Sequence, residues 1–188
     1  MCLNPLFSAY RGELYGIAFF TAFAQQYSDD THINKWQLLI QVEEVTAKLL
    51  KNGLTPLGMD CPQADPEMEN KGVKDAENWL HLSWPALLDT LIPWVEPYAV
   101  RYRRQADDAT DHHDLYALVR DHEDAILNFL QAEKARPGTG LPYLQHFLTT
   151  YASQAVVSWP TSGVMIEMND RLPQQGPARI CVMKHKFT

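Results

Sequence analysis

Between Leu115 and Lys134 apolar residues recur at helical spacing, and two ionisable side chains fall among them. Leu115, Leu118, Val119, His122, Ile126, Phe129, Leu130 and Glu133 share one face of an amphipathic helix, so His122 and Glu133 point where Leu and Phe point. Burying such groups is costly unless they are hydrogen-bonded, paired or ligating a metal. The stripe therefore needs polar partners from facing elements, which restricts the fold to one that brings other helices onto it.

Those helices are readable. Asn4-Pro5 offers a cap followed by proline, and the segment to about Gln26 carries Tyr10, Glu13, Ile17, Phe20 and Ala24 on one stripe. Ser28-Asp29-Asp30-Thr31 breaks it. A second helix runs from about His32 or Asn34 to Lys51, closed by Asn52-Gly53, with Trp36, Leu39, Ile40, Glu43, Thr46 or Ala47, and Leu50 inward. Leu54 to Lys74 is rich in proline, glycine and polar residues and reads as one long structureless crossover, after which Asp75 caps a short helix to about Leu82. Trp84 to about Gln105 is the third long helix, with a kink expected near Asp89 to Pro93 from Pro93 and Pro97. Asp111 is placed to cap the fourth, which Pro137-Gly138 follows. Pro142 to about Gln154 forms a fifth. The remainder changes character: Ala155 to Met168 and Ala178 to Phe187 read as strands or extended arms.

The pattern predicts an all-α fold, an antiparallel four-helix bundle over residues 1–155 with an added fifth helix, and an extended or hairpin tail over 156–188. An isolated hairpin is marginal in water, so the tail is expected to pack on the bundle or on a second subunit, and a homodimer is expected.

Composition excludes several classes. At 188 residues the chain suits one domain with a sizeable core, and 46% hydrophobic with 21% charged residues is ordinary globular composition. A net charge of -7 offers no basic face for nucleic acid. Cys2, Cys61 and Cys181 lack CxxC or zinc spacing, which argues against a disulfide scaffold and for a reducing cytoplasm. No run reaches the length of a membrane span. Leu14 to Ala24 imitates a secretory signal, but Glu13 heads it and Arg11 is the one basic residue upstream. No nucleophilic triad or glycine-rich phosphate loop occurs. Asp111-His112-His113-Asp114 resembles a metal cluster on paper, but adjacent residues at a helix start diverge in direction.

Placed on a bundle, Glu13, Glu43, His122 and Glu133 all face the interior. Depth separates them: residues 122 and 133 lie eleven apart, roughly 16 Å along a helix axis, so one ion cannot take both. Glu133, beside Lys134 and Arg136, reads as a helix-end residue in an ion pair. Glu13, Glu43 and His122, with Glu123 the least certain, are the candidate metal ligands, because carboxylates and imidazole on facing helices are what a hard or borderline divalent ion requires.

A glutamate in the first helix, E-x-x-T at Glu43 to Thr46, and H-E-x-A-x-x-x-F-x-x-x-E at His122, Glu123, Ala125, Phe129 and Glu133 resemble a bacterial group of uncharacterised ferritin-like proteins. The resemblance covers residues 8 to 135 and implies a ferritin-like bundle, whose active members carry a di-iron or di-manganese carboxylate centre. Two departures stand out. Thr46 occupies a position where a histidine would be expected, and Val119 one where a glutamate would be expected, so a full di-metal set is missing. Two readings follow. One is a binding or structural protein with a metal-free Glu/His cluster, which would raise the His122 pKa. The other is a metal-dependent oxidoreductase using iron or manganese on Glu13, Glu43 and His122. A small-molecule ligand between the helices is a third possibility, and no catalytic residue is assigned.

Overall fold

The computed structural model describes residues 3 to 156. They form six α-helices and no strand: α1 (Asn4–Gln26), α2 (Ile33–Leu54), α3 (Pro66–Glu77), α4 (Trp84–Asp107), α5 (His113–Ala135) and α6 (Leu141–Val156). Short 3-10 turns at Asp30–His32 and Thr55–Leu57 flank α2. The two expected strands lie outside the described residues, except that Ala155 and Val156 are helical, the last residues of α6.

The helices pack as the stripes require. α1 lies between α2 and α3, α4 packs on α5, and α6 lies against both α2 and α5. Phe23 of α1 stacks on Trp36 of α2 at 4.7 Å, while Gly16, two turns earlier, meets Glu43. Across α2 and α5, Gly53 meets Leu115, Thr46 meets His122 and Lys35 meets Glu133, numbers falling along one helix as they rise along the other. Asp89 with Lys134 and Arg103 with Asp124 give the same sense between α4 and α5. Phe19, Phe23, Trp36 and Phe129 are almost fully buried in this core, each contributing on the order of 1.5–3 kcal/mol of apolar burial.

Several local expectations are corrected. Asn4 is the first helical residue rather than the cap, and α2 continues through Gly53 to Leu54. His112, at φ 54, is the residue before α5, and Asp111 does not cap it. The largest difference is α3. The segment expected to be structureless is a helix from Pro66, whose N-cap Asp65 accepts from the Met68 N–H while Glu69 accepts from the Asp65 N–H. Pro66 sits in the first turn, where its missing N–H costs no helical bond. At Gly72 a Cβ would come within 2.5 Å of the Tyr15 carbonyl, so glycine there permits a close crossing of α1. Asp75 caps nothing. It accepts from Tyr15 Oη at 2.9 Å, and Arg11 holds Asp65 and Glu67, so α3 is tied to α1 at both ends. α4 starts at Trp84, as expected, and runs through Pro93 and Pro97 to Asp107.

Candidate metal centre

The register of α1, α2 and α5 brings Glu13, Glu43 and His122 to one depth, each almost fully buried. One ligand atom from each lies within 4.8 Å of the others. Among the described residues this is the one set of three or more His, Cys, Asp or Glu side chains close enough to share an ion. His122 Nε2 stands 3.3 Å from Glu13 Oε2 and 3.7 Å from Glu43 Oε2. Two ligands on one ion at bond lengths of ~2.1 Å lie roughly 3.0–3.5 Å apart in neighbouring positions, so the three donors stand slightly wider than one ion would hold them. Gly16 makes room for them: a Cβ there would lie 2.4 Å from the Glu43 carboxyl.

Thr46 decides which nitrogen of His122 faces the carboxylates. Its Oγ1 lies 2.9 Å from the Val42 carbonyl and 2.9 Å from His122 Nδ1. A hydroxyl carries one proton and a carbonyl can only accept, so that proton goes to Val42 and Nδ1–H donates to Thr46. Nε2 is thereby left without a proton, aimed at Glu13 and Glu43. This is the arrangement in which a ligating histidine is fixed by a hydrogen bond from its other nitrogen. Glu13 Oε2, although 3.3 Å from Nε2, makes no aligned hydrogen bond and is an orphaned buried acceptor.

Charge sharpens the picture. Burial, and then the Glu43 charge, push the Glu13 carboxyl well above its ordinary range, and burial pushes Glu43 up to about 8. With both carboxyls raised, the pair is not fully ionised at neutral pH. Burial pulls His122 down to about 3 and holds the imidazole neutral. Among the described residues neither Glu13 nor Glu43 has a lysine or arginine at ion-pair distance. A neutral imidazole and two carboxyls without a counter-cation form a donor set that could hold a divalent ion.

The three side chains also line a cavity of about 330 Å³ between α1, α3, α4 and α5. Glu123 is half-buried on its wall, pushed up to about 8 by burial, and is not one of the three whose ligand atoms converge. Met68 and Lys71 of α3 line the same cavity, so the segment expected to be a crossover forms part of its wall. Glu133 is in an ion pair, but its partner is Lys35 of α2 at 2.7 Å, and Lys134 pairs with Asp89 instead. Asp111, His112, His113 and Asp114 form no such cluster. Sequence reasoning misses Gly16, and it reads Thr46 as a departure from a ligand motif rather than as the partner of His122. The signal for both is their helical spacing from Glu43 and Glu13, three residues along in each case.

No protein family, curated protein or solved structure matches the chain. The functional reading therefore rests on the site itself. No helix among the described residues is long and apolar enough to cross a membrane.

Proposed function

We propose that the chain is a ferritin-like antiparallel four-helix bundle, built from α1, α2, α4 and α5, that binds one divalent transition metal ion, iron or manganese, through Glu13, Glu43 and His122. The observation that carries this is the convergence of His122 Nε2, on a ring that Thr46 holds at Nδ1, on two buried carboxyls that have no lysine or arginine partner among the described residues. The bundle part is supported by the falling-and-rising register of α1 with α2, α2 with α5 and α4 with α5, with α3 in the long connection between the two pairs. With Thr46 in place of a second histidine and Val119 in place of a further glutamate, the ligand set suits one ion rather than two.

Three protein ligands beside a cavity leave positions open, which is the layout of reactive rather than closed structural sites. A metal-dependent oxidoreductase is the enzyme reading this favours. In it Glu13, Glu43 and His122 hold the ion, which when bound would supply redox and Lewis-acid chemistry. Thr46 holds the imidazole, and the aromatic wall limits water.

Protein purified without chelator should carry about one iron or manganese per chain by elemental analysis, and His122→Ala should carry none. Wild-type protein that is empty, and stays empty after iron(II) or manganese(II) is added, would reduce the cluster to a metal-free polar core. The cytoplasmic setting is proposed from cysteine usage. The homodimer is proposed from the residues after 156, and light scattering of the full chain tests it.

A further inference from the structure

The cavity above the proposed metal centre has a sense of direction. Its inner end is the buried Glu13, Glu43 and His122 group, and its walls include Phe19, Trp94, Tyr98 and Tyr102. Trp94 stacks on Phe19 with centroids 5.4 Å apart and touches Tyr98 at 6.0 Å, so the rings form a continuous aromatic face. At about 330 Å³ the space is at the small end of small-molecule sites, enough for a single ring with a short substituent.

Two cations stand at the exposed rim, and they differ. Lys71 Nζ is already engaged, 2.7 Å from Asp75 and over the Tyr15 ring. Arg101 lies with its guanidinium carbon 4.9 Å from the Tyr98 ring centroid and 4.8 Å from that of Tyr102. Arg11, Arg103, Arg104 and Arg120 each sit on a carboxylate, but no carboxylate among the described residues pairs with Arg101. Glu123 feels its charge without forming an ion pair. A guanidinium over two tyrosine rings and without a carboxylate partner keeps its N–H fork available for two parallel bonds to a carboxylate.

We propose that the cavity binds a small aromatic carboxylate, its ring against Trp94 and Tyr98, its carboxylate on Arg101, and its far end toward Glu13, Glu43 and His122. As the substrate class of the proposed metal centre this rests on the metal reading, but the Arg101 contact itself does not require an ion. Orientation follows from position: among the described residues no lysine or arginine stands at ion-pair distance from Glu13 or Glu43 at the inner end, whereas Arg101 is exposed at the rim and retains the carboxylate there.

The test is calorimetric titration of EDTA-treated protein with 3-phenylpropionate and with its neutral amide, 3-phenylpropanamide. Wild-type protein should bind the acid saturably and the amide about 10- to 100-fold more weakly, the range expected for charge-assisted hydrogen bonds. Arg101→Gln should erase that preference while leaving the melting temperature unchanged, and Arg101→Lys should restore part of it. Equal affinity for acid and amide, a preference that survives Arg101→Gln, or absence of saturable binding each overturns the proposal. A chain that takes up no metal yet discriminates acid from amide sinks the metal reading alone. One that binds metal without discriminating sinks this proposal alone.

Discussion

Glu133 and His122 lie on the same stripe of α5 and are both buried, yet their surroundings differ in kind. Glu133 is saturated. Lys35 Nζ stands 2.7 Å from one oxygen, the Gly138 N–H reaches both oxygens at 3.1 and 3.2 Å, and the Gly140 N–H donates at 2.9 Å. Lys35 in turn lies 3.2 Å from His32 Nδ1 and 4.6 Å above the Trp84 ring. Every charge there has an opposite, and the glutamate closes the C-terminal end of α5 onto the turn into α6. At the other polar region, less than four turns away on α5, two carboxyls face one another and a neutral imidazole, with an orphaned oxygen and no cation. Burial of polar groups is common to both. What distinguishes a site from a strut is the missing counter-charge and the cavity that reaches it.

The largest effect that separates them is on stability. Glu133→Ala leaves Lys35 buried without its carboxylate and two glycine N–H groups without an acceptor. Removing one partner of such a pair costs about 3–5 kcal/mol, or roughly 6–20 °C in melting temperature for a chain of this size. Denaturant unfolding should show that loss, and metal content per folded chain should be unchanged. A drop of well under 1 kcal/mol would mean that the network does not hold the helices together.

Titration divides the two regions by sign. At Glu133 burial pushes the carboxyl up, but hydrogen bonds from Lys35, Gly140 and Gly138 outweigh it and hold the pKa below the ordinary value. Its contribution is present above the unfolded pKa and is lost as pH falls through the folded one. Glu43, raised to about 8, behaves oppositely: its contribution is present below an unfolded value of 4.5 and is lost as pH rises toward 8. His122, lowered from 6.5 to about 3, costs stability on acidification, so the alkaline limb between 6.5 and 8 belongs to the carboxyls. Metal-free protein should lose at least ~1 kcal/mol across that limb, or roughly 2–4 °C, and manganese(II) should reverse the loss. Glu43→Gln should make the limb shallower, with Glu13 and Glu123 keeping the rest, and make metal-free protein more stable at pH 8 while abolishing metal binding, the reverse of Glu133→Ala. A Gln variant that is less stable at that pH would place Glu43 with the struts.

Half of this division is legible in the amino-acid sequence. Periodicity locates α1, α2, α4, α5 and α6, because each buries one stripe, and the stripes of α1, α2 and α5 contain the glutamates, threonine and histidine found inside. Axial depth alone parts Glu133 from His122. Composition misleads at α3, where Pro66 and Gly72 look like breakers although one starts the helix and the other permits its crossing over α1. Lys35 is invisible as a partner for Glu133, since pairing across α2 and α5 depends on a register that no local pattern states. Thr46 looks like a gap in a ligand motif, whereas its hydroxyl orients the imidazole. The cavity, too, has no signature in a one-dimensional pattern, because its walls come from α3 and α4 as well as from the helices that carry the three ligands.

The smallest effects test the shape of the site rather than its charge, through two glycines one turn apart on α1. At Gly16 a Cβ would lie 2.4 Å from the Glu43 carboxyl carbon and from its Oε2, so Gly16→Ala must displace that ligand. Metal affinity should fall about 10- to 100-fold, as it does when a supporting contact to a ligand is lost. Metal-free stability should change by no more than ~1 kcal/mol, because the atoms that yield are the far end of a side chain and alanine favours the helix. At Gly12 a Cβ meets nothing within 4 Å, although the residue lines the same cavity. Gly12→Ala should therefore stabilise by about 0.5–1 kcal/mol through helix propensity and leave metal affinity alone. If both variants weakened metal binding equally, the loss would come from narrowing the cavity or stiffening α1. If neither did, the Glu43 carboxyl would have room to move and would not be a fixed ligand. A loss at Gly16 with none at Gly12 assigns the effect to the carboxyl itself, the group that the added methyl meets first.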